Sequence, residues 1–283
     1  MTATNAAMNQ RDLAVRTGRP GLAGRAGHRV GNVLKGAAGL LVLVGVWEVL
    51  RAVDVLPRSA VPSTLSVWQA IRDGFADGSL AQATLYTVQA WAAGLGLAVL
   101  VGLPLGVLIG LSSWAHAATR NVIDFFRPIP SVAFVPVALV FLGFEMRMEV
   151  VLILVGAVWP VLYNTRYGVQ DVDPLLLDTG RALHLGPVAR VVRIRLVAAT
   201  PAILTGVRTA ATIALILAVS AEALAVPQGL GYVIAQAATV GSTAAAYASI
   251  VITGVLGVLI NLVVTAARAR IVGWSLRAAE RGE

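Results

Sequence analysis

Apolar residues in this chain come in long blocks separated by short polar segments. The blocks lie at about 36–53, 84–111, 119–142, 148–167, 200–225 and 246–267. A helix needs about 20 mostly apolar residues to cross a bilayer, which these blocks approach or exceed. Hydrocarbon offers no partners to backbone N–H and C=O groups, so each block is predicted to satisfy its own as an α-helix. The third block carries Pro128, Pro130 and Pro136 and is predicted as a broken span. In the polar stretch at about 54–83, Leu65, Val67, Trp68, Ile71 and Phe75 predict a short amphipathic helix at the membrane interface. The pattern predicts an all-α integral membrane protein with six transmembrane helices.

Composition agrees with that pattern. Of 283 residues, 58% are hydrophobic and 13% charged, about half the charged share of a soluble domain. A soluble enzyme, a disordered chain and a collagen-like fibre are excluded. The net charge of +8 would ordinarily raise nucleic acid as a partner. Here the basic residues sit mostly between apolar blocks, where they report orientation, and no nucleic-acid partner is expected. With the N-terminus inside, the inner segments hold Arg11, Arg16, Arg19, Arg25, Arg29, Lys35, Arg120, Arg166, Arg181, Arg190, Arg193, Arg195, Arg268, Arg270, Arg277 and Arg281. The outer segments hold Arg51, Arg58, Arg72 and Arg147, beside Asp54, Asp73, Asp77, Glu145 and Glu149. This asymmetry predicts that both termini are cytoplasmic.

Residues 1–35 are expected to be a disordered basic tail, 36–268 the membrane domain, and 269–283 a cytoplasmic C-terminal tail. The 36–53 block is longer than a signal h-region and lacks an A-x-A site behind it, so it is expected to be a retained first span. Cys is absent, and His28, His116 and His184 lie far apart, so neither thiolate chemistry nor a metal site is expected.

Three features carry candidate function. The second block has a small residue every four positions, at Ala90, Gly94, Ala98, Gly102, Gly106 and Gly110, which lets helix backbones approach closely, within the chain or in a dimer. The inner loop at about 168–195 predicts a short helix with Pro174 at its first position, Asp173 as cap and an end at Gly186–Pro187. A second short helix bearing Arg190, Arg193 and Arg195 would lead back into the membrane near Pro201. Such a loop is either a docking element or an interfacial segment held to anionic lipid. Thirdly, Arg127, Arg208 and Glu222 fall in apolar blocks, where ionisable groups mark candidate translocation paths or gates. Asp124, Arg127 and Arg208 are near enough to the inner surface to snorkel, and Glu222 stands either at an outer gate or as a brace for the turn at Pro227.

These residues resemble a family. Asp178-Thr-Gly-Arg-Ala-Leu-His184 through Pro201-Ala-Ile-Leu-Thr-Gly-Val-Arg208 is similar to the EAA loop of ABC-importer permeases. Ala221-Glu222-Ala223 with Gly229-Leu230-Gly231-Tyr232, and Phe126-Arg127-Pro128-Ile129-Pro130-Ser131 with Leu142-Gly143, resemble the nitrate/sulfonate/taurine-type branch. The resemblance covers about 57–268. It implies a type I ABC-importer permease fold that moves a small solute inward by alternating access. It also implies ATPase subunits that dock on the loop, a second permease copy (most simply an identical one), an extracytoplasmic solute-binding protein and a plasma or inner membrane location. The docking residues it implies are Leu176, Asp178, Thr179, Gly180, Arg181, Ala182, Leu183, His184 and Gly186. This chain has Asp178, His184 and Val197 where the family usually has Glu, Gly and Pro. Either His184 takes a left-handed turn at a cost, or Gly186 supplies that turn two residues later.

The chain contains no G-x-x-x-x-G-K-[ST] motif, and its single Lys is Lys35, so any ATP is expected to be used by a partner and no cofactor by this chain. The alternatives are an ion-coupled secondary transporter and an intramembrane enzyme. The first would show internal repeats with a buried ion site, and the second a nucleophile facing a base. Neither pattern is evident in the sequence.

Overall fold

The computed structural model describes residues 36, 38, 39, 41–53 and 60–279. The predicted basic tail 1–35 and the last four residues lie outside the described residues. The chain divides into two units, Met1–Thr64 and Leu65–Glu283. In the first, residues 41–52 form helix α1. Trp47 Nε1 donates to the Pro62 carbonyl at 3.1 Å, and the Glu48 carboxylate accepts from the backbone N–H and hydroxyl of Thr64 and pairs with Arg51.

The second unit opens within α2, Thr64–Ala76, where Leu65, Trp68 and Phe75 are exposed, as an interfacial helix presents them. A left-handed Gly78 turns the chain into α3, Ser79–Leu111, and the Ser79 N–H hydrogen bond holds the Asp77 carboxyl below its ordinary range. Next come α4, Ser113–Phe126, a 3₁₀ turn at Ser131–Phe134, and α5, Val135–Leu142. They are followed by α6, Met146–Gln170, and the short α7, Pro174–Ala182. Helix α8 runs over Pro187–Leu224 with a π-helical turn at Val191–Arg195, and α9, Gly229–Thr239, and α10, Thr243–Ala279, complete the order.

Four helices are long and apolar enough to cross a bilayer singly: α3, α6, α8 and α10. The predicted third span is a pair, with the Ser113–Phe126 and Ser131–Leu142 segments bent by 80°. Counted as one crossing, the pair brings the total to five among the described residues, one short of the predicted six. The sixth would be the 36–53 block, which is described only in part. Pro136 does not break the span as expected. It sits in the first turn of α5, where a missing N–H costs nothing, and the bend belongs to the Arg127–Pro130 stretch. Helix α8 likewise begins well before the expected boundary at Pro201, which it carries inside it.

The core lies between α3, α6 and α8, where Ala98, Ile153, Ala157, Val161, Ala210 and Ala214 are fully buried together. The small-residue stripe on α3 faces α6. A Cβ on Gly106 would stand 2.6 Å from the Leu162 carbonyl oxygen and 2.7 Å from Thr165 Cβ, and one on Gly94 would stand 2.5 Å from Ile153 Cβ. The stripe is therefore spent on packing within the chain. On the other side of α6, Gly206 of α8 approaches the Pro160 carbonyl as closely, and Trp91 Nε1 of α3 donates to the Ala211 carbonyl of α8 at 2.9 Å.

Gly106→Ala is expected to force α3 and α6 apart and lower stability by about 1–3 kcal/mol. Gly96→Ala, whose Cβ would meet nothing within 4 Å, should leave it unchanged or slightly raised. Thermal unfolding of both variants in one detergent checks the contrast.

Candidate coupling loop and polar sites of the membrane domain

The loop between α6 and α8 is held at several points. Pro174 stands in the first turn of α7, and Asp173 Oδ1 accepts from the Leu175 N–H at 2.9 Å, capping the helix. At the other end, the Leu185 N–H donates to the Gly180 carbonyl at 3.0 Å and the His184 N–H to the Arg181 carbonyl at 2.9 Å. These are the two bonds of a Schellman motif, whose turning residue must be left-handed. That residue is His184, with φ 54°, alone in this among the described non-glycine residues. Gly186, at φ −62°, does not supply the turn. Gly180 packs α7 onto the first turns of α8, since a Cβ there would lie 2.4 Å from Ile194 Cδ1.

Much of the rest of the loop is exposed. Arg181 pairs with Asp178 at 2.6 Å on the exposed surface, and the Thr179 hydroxyl returns to the Leu175 carbonyl. Leu175, Leu183 and Val188 are 70%, 69% and 74% exposed, and Leu176 and Ala182 are exposed beside them. A short helix pinned at both ends thus presents an exposed apolar face.

The three candidate path residues are not brought together. Arg127 lies over the Tyr163 ring at 4.7 Å, at the bend after α4. Arg208 Nε donates to Asn261 Oδ1 at 2.9 Å, from α8 to α10. Glu222, 1% exposed, accepts from the Gly231 N–H at 2.8 Å, while the Thr87 hydroxyl accepts from the Leu230 N–H at 3.0 Å. Helix α9 therefore has two of its orphan N–H groups satisfied by side chains of α8 and α3. Gly229 makes room for the Glu222 carboxyl, which a Cβ would approach to 2.2 Å, and takes φ 90°. The Glu222 carboxyl thus ties the end of α8 to the first turn of α9.

Two participants escaped the sequence pattern. Thr87 sits three residues before Ala90 on the buried stripe of α3, and a hydroxyl on that stripe is the signal that could have found it. Glu149, counted with the outer charges beside Arg147, is fully buried in the first turn of α6, and its carboxyl faces that of Glu222. Neither oxygen of Glu149 nor Oε1 of Glu222 accepts a hydrogen bond among the described residues.

Two substitutions test this arrangement. His184→Gly is expected to relieve the left-handed strain and raise stability by about 1 kcal/mol, read by thermal unfolding. Glu149→Gln keeps a donor facing the Glu222 carboxyl and should leave stability within about 1 kcal/mol of the original, whereas Glu149→Ala, which removes that donor and leaves a cavity, should lower it by about 2–4 kcal/mol.

Comparisons with known proteins identify the family. Residues 102–273 match the family model described as binding-protein-dependent transport system inner membrane component. The chain is 27% identical over 251 residues to the nitrate import permease protein NrtB of Leptolyngbya laminosa, covering 87% of this chain and 90% of that one. It is 25% identical over 240 residues to the taurine transport system permease protein TauC of Escherichia coli, covering 83% and 87%. Among solved structures, an inward-facing form of the MetNI methionine ABC transporter matches with a TM-score of 0.61 at 18% identity, over 68% of this chain and 96% of that chain. The ion-coupled alternative finds no support in these matches. The chain belongs to the binding-protein-dependent inner membrane components, the permease subunits of ABC importers.

Proposed function

We propose that this permease takes up a small anionic solute of the nitrate or sulfonate class, using ATP hydrolysed by a separate subunit that docks on α7. The observation that carries the docking role is the pairing of rigidity with exposure. The Asp173 cap and the His184 turn fix α7, while Leu175, Leu176 and Leu183 remain exposed. An apolar face held in one conformation loses little entropy when it enters a cleft, which favours a docking element over a lipid-facing loop. Asp178 and Arg181 would form the polar rim, and Gly180 keeps the helix seated on Ile194.

The names of the nitrate and taurine permeases support the solute class. The arginine asymmetry supports cytoplasmic termini, with α7 on the inner side. The cycle also calls for a second permease copy, most simply an identical one, and an extracytoplasmic solute-binding protein. The chain itself uses no cofactor.

Leu183→Asp is expected to abolish ATP-driven uptake and release the ATPase subunit on mild-detergent purification, with the amount of permease in the membrane unchanged. Intact uptake in that variant would overturn the docking role.

A further inference from the structure

One face of α8 departs from the apolar surface of a span. Thr205, Arg208, Thr209 and Thr212 stand at positions i, i+3, i+4 and i+7 and so share a side of the helix, half-buried or exposed on the single chain. With Asn261 and Arg268 of α10 they line a cleft of about 360 Å³. The threonine hydroxyls donate to carbonyls one turn back, so they make the wall polar without adding charge. No carboxylate lines the cleft among the described residues. Two guanidinium groups, both permanently charged, therefore border a polar hollow without a counter-charge. Hydrocarbon is a poor cover for such a face, which fits it to a water-filled path.

Arg208 is also oriented. Its Nε is held by Asn261 Oδ1 at 2.9 Å, and its terminal nitrogens have no protein partner among the described residues. A guanidinium fixed at Nε presents the remaining donors as a planar fork, which matches two oxygens of a small oxyanion.

We propose that this cleft is a binding station for the anionic group of the transported solute, a sulfonate or small oxyanion, with Arg208 as the forked donor and Asn261 as the positioning residue. The proposal rests on the importer reading and adds the site at which this chain itself holds the solute. A phospholipid phosphate carries similar oxygens, so the test separates the two sources.

The experiment uses the permease assembled with its ATPase, in nanodiscs of phosphatidylcholine alone, with methanesulfonate as probe and neutral dimethyl sulfone as its control at matched ionic strength. Methanesulfonate is expected to raise the Tm of the complex in a saturable way, and dimethyl sulfone is not. Arg208→Gln should weaken the apparent affinity by about tenfold or more, and Asn261→Ala by less, while Arg147→Gln on the outer turn leaves it unchanged. Arg208→Lys keeps the charge and loses the fork, so it should fall between, and it carries the test if Arg208→Gln fails to assemble. Equal stabilisation of the wild-type and Arg208 variants would overturn the proposal. So would stabilisation by added phosphatidylglycerol that depends on Arg208 while methanesulfonate has no effect. ATP-driven uptake by the wild-type complex is measured alongside. Its absence with the anion effect intact would count against the importer reading and not against the cleft.

Discussion

Inside a bilayer, helices gain nothing from hiding apolar surface, because lipid is as apolar as leucine. What holds this domain together is the close approach of three backbones. Gly94, Gly102, Gly106 and Gly110 bring α3 onto α6, and Gly206 brings α8 onto its other side. The spacing is tight enough that carbonyl oxygens of α6, at Val158, Leu162 and Arg166, are the atoms an added Cβ would strike. Packing of that density positions the polar groups between the helices. Thr87 and Glu222 can cap α9 jointly because α3 and α8 are held at a fixed separation, tied by Trp91 to the Ala211 carbonyl.

The same constraint gives the proposed coupling a mechanical route. Helix α8 is continuous over 38 residues, from the end of the coupling loop to Leu224, two residues beyond the Glu222 cap. At 1.5 Å per residue it spans about 57 Å. Helix α7 is seated on the lead-in to α8 through Gly180 and Ile194, so under that proposal a displacement of the loop would act on the same helix that carries Glu222. Arg208 and its cleft lie between these two ends.

How much of this the sequence discloses depends on how local the cause is. The apolar blocks, the Asp173 cap with Pro174 behind it, and the α3 stripe are legible because a few neighbouring residues determine each. The His184 turn was visible only as an alternative, since Gly186 stands two residues away and the choice depends on which carbonyls the last turn of α7 leaves open. The 80° bend was legible as a break at the prolines but not as an angle. Pro136 misled, because a proline is harmless in a first turn and disruptive later. Glu149 was not legible. A glutamate two residues after Glu145–Met146–Arg147 looks like part of an outer charged segment, and its carboxyl faces that of Glu222, which lies 73 residues further along the chain. Thr87 was missed for a similar reason, since its partner N–H is 143 residues away.

The central claim is that the exposed face of α7 is where a separate ATPase subunit engages. The chain has no native cysteine, so single cysteines report without background. The most direct measurement is cross-linking of the intact complex in its native membrane from Leu183→Cys, with Leu224→Cys at the far end of α8 as the comparison. The account predicts a cross-link from position 183 to the Walker-type ATPase and none from position 224. Failure to cross-link from 183, or equal cross-linking from both, would contradict it.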